Sequence, residues 1–253
     1  MEIITISSRF INRFHKPIWK EISDLHKLLN KNKPIVKICG NKITSEAFKV
    51  ASYKPDMMGW IFSPFSPRRI SIEKAPKIIK NIQREYPEIF HVGVFSGNPI
   101  YEIVNIIKIL NEKAYGLDFI QVLEGSGFIW RLRSVLQQEH IFVPVIPVIR
   151  PQGPISEDLF FPTDPSLFWI LDRFDPNLKG GTGKTIPENY FKRKVRKPFL
   201  IAGGINPDNV QEYLKLTGAR GVDISSGLED SPGIKNEEKI KKLFTKIQEF
   251  SYS

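Results

Sequence analysis

An eightfold alternation of texture, beginning at residue 34, constrains this chain more than any other feature. Short apolar runs rich in β-branched residues recur as PIVKICG, MMGWIF, HVGVF, DFIQVLE, FVPVIPVI, LFWILD, PFLIAGG and GVDISSG. Between most of them lie amphipathic stretches such as SIEKAPKIIKNIQREY, NPIYEIVNIIKILNEK and NPDNVQEYLKLTG. Strands that alternate with helical segments imply a parallel sheet. Eight such units close a (β/α)8 barrel, and roughly 220 residues is on the compact side for that fold. The predicted class is therefore α/β, with a (β/α)8 barrel over residues 34–253. Helix starts are expected at Ser45, at Ser71 and at Asn206-Pro207, where capping side chains or a first-turn proline suit them. The fifth unit, around RPQGPISEDLFFPTDPSLF, is rich in proline and poor in helical signal.

Residues 1–33 stand outside this rhythm and form an N-terminal extension. The segment KPIWKEISDLHKLLNK sets Ile18, Ile22, Leu25, Leu28 and Leu29 at helical spacing. An amphipathic helix must bury that stripe. The first strand begins a few residues later, at Pro34, so the helix is expected to brace the bottom or flank of the barrel. Docking of a partner is the alternative use.

With 41% hydrophobic and 25% charged residues the composition is that of an ordinary globular protein. Cys39 is the one cysteine, so no intramolecular disulfide can form, and a cytoplasmic location is expected. No apolar run approaches the length of a membrane span, and MEIITISSRF lacks the pattern of a secretory signal. The net charge of +10 asks for an acidic partner. Its basic residues are dispersed, with FKRKVRK the one dense cluster, and no nucleic-acid-binding module accompanies it. The expected partner is a small phosphorylated molecule rather than nucleic acid or a membrane.

In a (β/α)8 barrel the working residues lie at the C-terminal ends of the strands and in the loops that follow. Those positions offer Cys39, FSPFSPRR, FSGN, QVLEG, LDRFDPNLKGGTGKT, AGGINPDN and DISSGLEDSPG. Two of them suit an anion. AGGINPDN places Gly203 and Gly204 between a strand and a helix start, and DISSG adds Ser225 and Ser226 at the next strand. Tight turns needing glycine for geometry alone are the plainer reading. GGTGKT is not a P-loop, because Leu178 stands where its first glycine belongs. A glycine-rich lid suits it better. Cys39, taken alone, reads as readily as a small buried apolar residue.

KICG, SPRRIS, VGVF, ILD followed by GGTGKT, AGGINPDNV and GVDISSGLEDSPGIK together resemble phosphoribosylanthranilate isomerase, in order and at fitting intervals, over residues 34 to about 245. The resemblance implies the Amadori rearrangement of N-(5-phosphoribosyl)anthranilate in tryptophan biosynthesis, without metal or cofactor. It implies Cys39 as general base and Asp172 as general acid. It implies Arg68 at the anthranilate end, Asp223 near the substrate's aromatic amine, Gln121 among the substrate contacts, and Gly203, Gly204, Ser225 and Ser226 around the phosphate. Asp223 also reads as an ion-pair partner of Lys37, since the first and last strands of a closed barrel are neighbours. Three features depart from the family pattern: Leu123 replaces the histidine of VQLHG, strand 5 lacks the usual lysine, and the extension has no counterpart. The competing readings are a related phosphate-binding barrel isomerase with altered substrate range, and a non-catalytic barrel that docks a partner through its N-terminal helix. Turnover by the purified protein separates both from the first reading. A monomer is expected, with a dimer left open.

Overall fold

The computed structural model describes residues 22–155, 166–173, 185–191, 195 and 197–252. It opens on helix α1 (Ile22–Asn30) and continues through β1 (Ile35–Cys39), α2 (Thr44–Ser52), β2 (Met57–Ile61), α3 (Ala75–Glu85), β3 (Phe90–Phe95), α4 (Ile100–Lys113), β4 (Phe119–Val122), α5 (Ser126–Gln138) and β5 (Val145–Ile149). Strands β6 (Trp169–Leu171), β7 (Phe199–Ala202) and β8 (Gly221–Ile224) complete the sheet, with α6 (Val210–Thr217) between the last two. A short hairpin, β9 (Glu229–Ser231) and β10 (Ile234–Lys235), precedes α7 (Glu237–Glu249). All eight main strands are parallel and β8 pairs with β1, so the sheet closes into the expected (β/α)8 barrel.

Alternation along the strands divides the core in two. Ile35 and Cys39 of β1 face the barrel interior with Met57, Phe90, Val92, Phe119, Phe168 and Leu200. Val36 and Ile38 face outward, into the layer shared with the helices. The helical stripes fill that layer. In α3, Ile78, Ile79 and Ile82 are buried on one face, and each contributes about 1.5–3 kcal/mol by leaving water. Polar residues occupy inward positions of three strands, Lys37, Gln121 and Asp223, and all three are buried. An apolar barrel core does not require them there, so they mark the working end.

The bottom of the barrel is closed by α1. Leu28 is buried against the interior cluster that holds Ile35, Met57 and Phe90, the first residues of their strands. Arg220 fixes the helix exit by donating from Nη2 to the carbonyls of Leu29 and Lys31, both at 2.9 Å. Lys31 Nζ donates to Asp56 Oδ1 at 2.7 Å. The expected helical residues 17–21 lie outside the described residues, as do 156–165 of the proline-rich fifth unit and 180–184 of the GGTGKT segment expected to form a lid. Most of the basic cluster at 191–197 falls outside as well.

The three expected helix starts are corrected. Helix α2 starts at Thr44 with Ile43 in the capping position, so Ser45 lies inside its first turn. Helix α3 starts at Ala75. Pro76 fixes that start, since a residue without an N–H fits the first turn of a helix at no cost in hydrogen bonds. Ser71 instead opens the preceding turn, its carbonyl accepting from the backbone N–H of Lys74 and Ala75. Helix α6 starts at Val210 with Asn209 in the capping position, so Asn206-Pro207 opens the turn before it, where the Asn206 Oδ1 accepts from the backbone N–H of Asp208 and Asn209.

Candidate active site

A cavity of about 450 Å³ opens at the C-terminal ends of the strands. Cys39, Arg68, Gln121, Asp172, Gly203, Gly204, Asp223, Ser225 and Ser226 all line it, so the nine residues singled out in the sequence meet in one place. Phe65, Leu123 and Arg150 also contribute to the wall, and the sequence alone did not single out Phe65 or Arg150.

Cys39 ends β1 and points inward. The register places Gly59 of β2 directly beside it. A Cβ on Gly59 would stand 2.6 Å from Cys39 Sγ and 3.1 Å from its Cα, so only glycine leaves room for the thiol. Lys37, two residues earlier on the same face, is fully buried and donates to Asp223 Oδ1 at 2.8 Å. The two are register partners on β1 and β8. Burial alone would lower the Lys37 pKa, but the charges of Asp223 and Cys39 outweigh it and hold the ammonium charged. Burial pushes the Cys39 thiol up, opposed by the Lys37 ammonium.

Asp172 follows β6 on the opposite side of the cavity. Burial raises its pKa, and the Arg150 guanidinium counters this. Arg150, just beyond β5, donates to Asp172 Oδ2 from Nε at 3.2 Å and from Nη2 at 3.1 Å. Gln121 on β4 is buried, and its Oε1 has no hydrogen-bond partner among the described residues.

Behind Cys39 lies a second charged network that sequence reading missed. Arg68 presents its Nε and Nη2 edge to Glu229, with Nε at 2.8 Å and Nη2 at 2.8 Å from Oε2. Lys235 is buried and donates to Glu229 Oε1 at 2.8 Å and to the carbonyl of Cys39 at 2.6 Å. The β9–β10 hairpin brings Glu229 and Lys235 together. Burial works to raise the Glu229 carboxyl, but Arg68 and Lys235 prevail and hold it below the usual range. A carboxyl lowered in the folded state stabilises the fold above its unfolded value, about 4.3 for Glu. That contribution is lost as pH falls through the folded value. Glu229→Gln should therefore be less stable than wild type at neutral pH, and the two unfolding midpoints should converge in acid. Denaturant titrations across pH check this, and parallel curves would count against it.

The loops after β7 and β8 touch each other. Ser226 opens a 3₁₀ turn (Ser226–Leu228) after β8. A Cβ on Gly227 within that turn would lie 2.0 Å from the carbonyl oxygen of Ile205. Glycine there lets the β8 loop close onto the β7 loop, so Gly203, Gly204, Ser225 and Ser226 rim one side of the cavity.

A family model for N-(5'-phosphoribosyl)anthranilate (PRA) isomerase matches residues 36–246. The chain belongs to the N-(5'-phosphoribosyl)anthranilate isomerase family. Among its relatives, the N-(5'-phosphoribosyl)anthranilate isomerase of Gloeothece citriformis (strain PCC 7424) is 32% identical over 219 residues, covering 84% of this chain and 93% of that protein. The protein of the same name from Leptospira borgpetersenii serovar Hardjo-bovis (strain JB197) is 33% identical, covering 84% and 94%. The crystal structure of phosphoribosyl anthranilate isomerase from Thermus thermophilus superposes with a TM-score of 0.66 at 26% identity, covering 84% of this chain and 98% of that one. The match to the family model starts at residue 36, leaving α1 outside it. Among the described residues no helix is long and apolar enough to cross a membrane.

Proposed function

We propose that this family member isomerises N-(5'-phosphoribosyl)anthranilate to 1-(2-carboxyphenylamino)-1-deoxyribulose 5-phosphate, with Asp172 as general acid and Cys39 as general base. One observation carries the reading. A thiol on β1 and a carboxyl after β6 open into a single cavity, rimmed on its β7–β8 side by Gly203, Gly204, Ser225 and Ser226.

The chemistry follows from that arrangement. The phosphate is held at the β7 and β8 loops, a recurrent place for phosphate in these barrels. Asp172 gives its proton to the furanose ring oxygen, and the C1–O bond breaks to leave an iminium. Cys39 then takes the proton from C2, giving an enolamine that tautomerises to the ketone. A thiol of raised pKa needs help to act as a base near neutral pH, and the Lys37 ammonium together with the iminium supplies opposite charge beside it. Gln121 Oε1 is an acceptor awaiting a donor, which a substrate hydroxyl or amine N–H provides. Asp223, which lines the same cavity, is assigned to that amine, and Arg68 to the anthranilate end. Each step is a proton transfer or the C1–O cleavage that a proton transfer drives, so no cofactor is assigned. A cytoplasmic enzyme acting on a small phosphorylated substrate accords with this chemistry.

Expression of the chain in a bacterial strain lacking its own isomerase should restore growth without tryptophan. Failure to restore growth from a well-expressed, folded protein would count against the reading. Gly59→Ala should retain the fold but displace the thiol, lowering kcat by about 10²-fold, the scale of a 1 Å misplacement. Steady-state kinetics would show it, and an unchanged kcat would mean that the thiol position does not limit the reaction.

A further inference from the structure

Behind the cavity wall stand two charged residues that the proposed reaction does not use. Arg68 lines the cavity, whereas Glu229 and Lys235 do not. The side chains of Lys235 and Glu229 are 0% and 3% exposed. Enclosing an ammonium and a carboxylate so completely is costly, and packing alone does not ask for them. The β9–β10 hairpin that carries them also stands outside the strand–helix repeat, being inserted between β8 and α7. Their side-chain bonds lead to the site. Lys235 Nζ donates to Glu229 Oε1 at 2.8 Å, to the carbonyl of Cys39 at 2.6 Å and to the carbonyl of Ser225 at 3.3 Å. Glu229 in turn accepts from the Nε and Nη2 edge of Arg68. The hairpin itself is pinned to α2: the Lys235 N–H donates to Glu46 Oε2 at 2.7 Å, and its carbonyl accepts from Lys49 Nζ at 3.3 Å.

Arg68 needs such a hold. It comes from the loop after β2 on a long side chain, and ordering that side chain only on binding would cost affinity. Its stem passes over Gly40, where an added Cβ would stand 2.9 Å from Arg68 Cδ. A guanidinium is planar, so fixing one edge fixes the direction of the other. With the Nε and Nη2 edge on Glu229, the fork between Nη1 and Nη2 is the one left for a carboxylate. We propose that Glu229, anchored by Lys235, is a positioning residue for substrate recognition: it clamps one edge of Arg68 so that the opposite fork meets the substrate's carboxylate. The same Lys235 ammonium holds the ends of β1 and β8, so the clamp is fixed relative to the Cys39 base and the Ser225 loop. Arg68 is thereby ordered when the protein folds and not when substrate arrives.

This inference rests on the function proposed above, and its test separates the two. The probes are two reduced product analogues, with an alcohol in place of the ketone, one bearing the ring carboxylate and one lacking it. Wild-type protein should bind the first about ten- to a hundred-fold more tightly, the worth of a charge-assisted hydrogen bond. Calorimetric titration of Glu229→Gln should show that preference mostly lost, with the analogue lacking the carboxylate bound as in wild type. Glu229→Asp keeps the charge beside Lys235, and with it the fold, but draws the carboxylate back by one methylene; its preference should fall as well. Arg68→Ala should lose the same preference, and adding Glu229→Gln to it should lose no more, because the two residues act as one unit. A preference retained in any folded Glu229 variant overturns the inference while leaving the function standing. Equal weakening of both analogues overturns it too, since that is what a general disturbance of the fold produces. Wild-type protein that binds both analogues alike overturns the reading of the carboxylate by Arg68, and the clamp with it. A folded protein that binds neither analogue and does not turn over substrate would instead refute the function itself.

Discussion

Cys39→Ala and Asp172→Asn should each lower kcat by about 10²–10⁴-fold, the usual worth of a positioned acid or base, while the barrel stays folded. Alanine fills most of the Cys39 site, and the interior cluster around Ile35 and Met57 keeps its remaining contacts. Asparagine has nearly the shape of aspartate, and its amide oxygen can still accept from Arg150, but it has no proton to give to the ring oxygen. Circular dichroism and unfolding midpoints close to wild type, combined with the kinetic loss, would show that the deficit is chemical. A near-normal rate in either variant would remove that residue from the mechanism.

Lys37→Met should be the most destabilising single change at this end of the barrel. The ion pair with Asp223 is buried on both sides, with the lysine fully enclosed. Removing one partner of such a pair leaves an uncompensated charge and costs about 3–5 kcal/mol. The double variant Lys37→Met with Asp223→Leu should regain much of that stability, because replacing both charges by apolar groups is often neutral or better. It should not regain turnover, since Asp223 is assigned to the substrate amine and Lys37 to the support of Cys39. Denaturant unfolding of the two variants, with kinetics alongside, tests both statements. A stable, active double variant would reduce the pair to packing.

The barrel was legible because its strands and helices carry different periods, and several strands are followed at once by polar or glycine residues, as at Asp172, Gly203 and Ser225. The Lys37–Asp223 pair could be anticipated because β1 and β8 must meet in a closed barrel. Contacts set by loop geometry were hidden. Arg68 and Glu229 are 161 residues apart and meet only through the β9–β10 hairpin. Arg150 looks like an ordinary residue after an apolar run; the barrel makes the β5 and β6 ends neighbours, but nothing in the sequence announces that the Arg150 and Asp172 side chains turn toward each other. The helix starts failed at Ser45 and Ser71 for a local reason: serine is common near helix starts, but the backbone turn and Pro76 decided where α3 begins. Leu28 is the simplest success of the hydrophobic pattern, being buried where an apolar stripe has to go.

The most direct test of the proposed function uses purified protein and freshly formed N-(5'-phosphoribosyl)anthranilate. The fluorescence of this anthranilate nucleotide should be lost in proportion to enzyme added, at a rate at least about 10²-fold above that of Cys39→Ala at equal concentration. Fluorescence that persists with folded wild-type protein, or that decays equally with the variant, would contradict the assignment of isomerisation to this cavity.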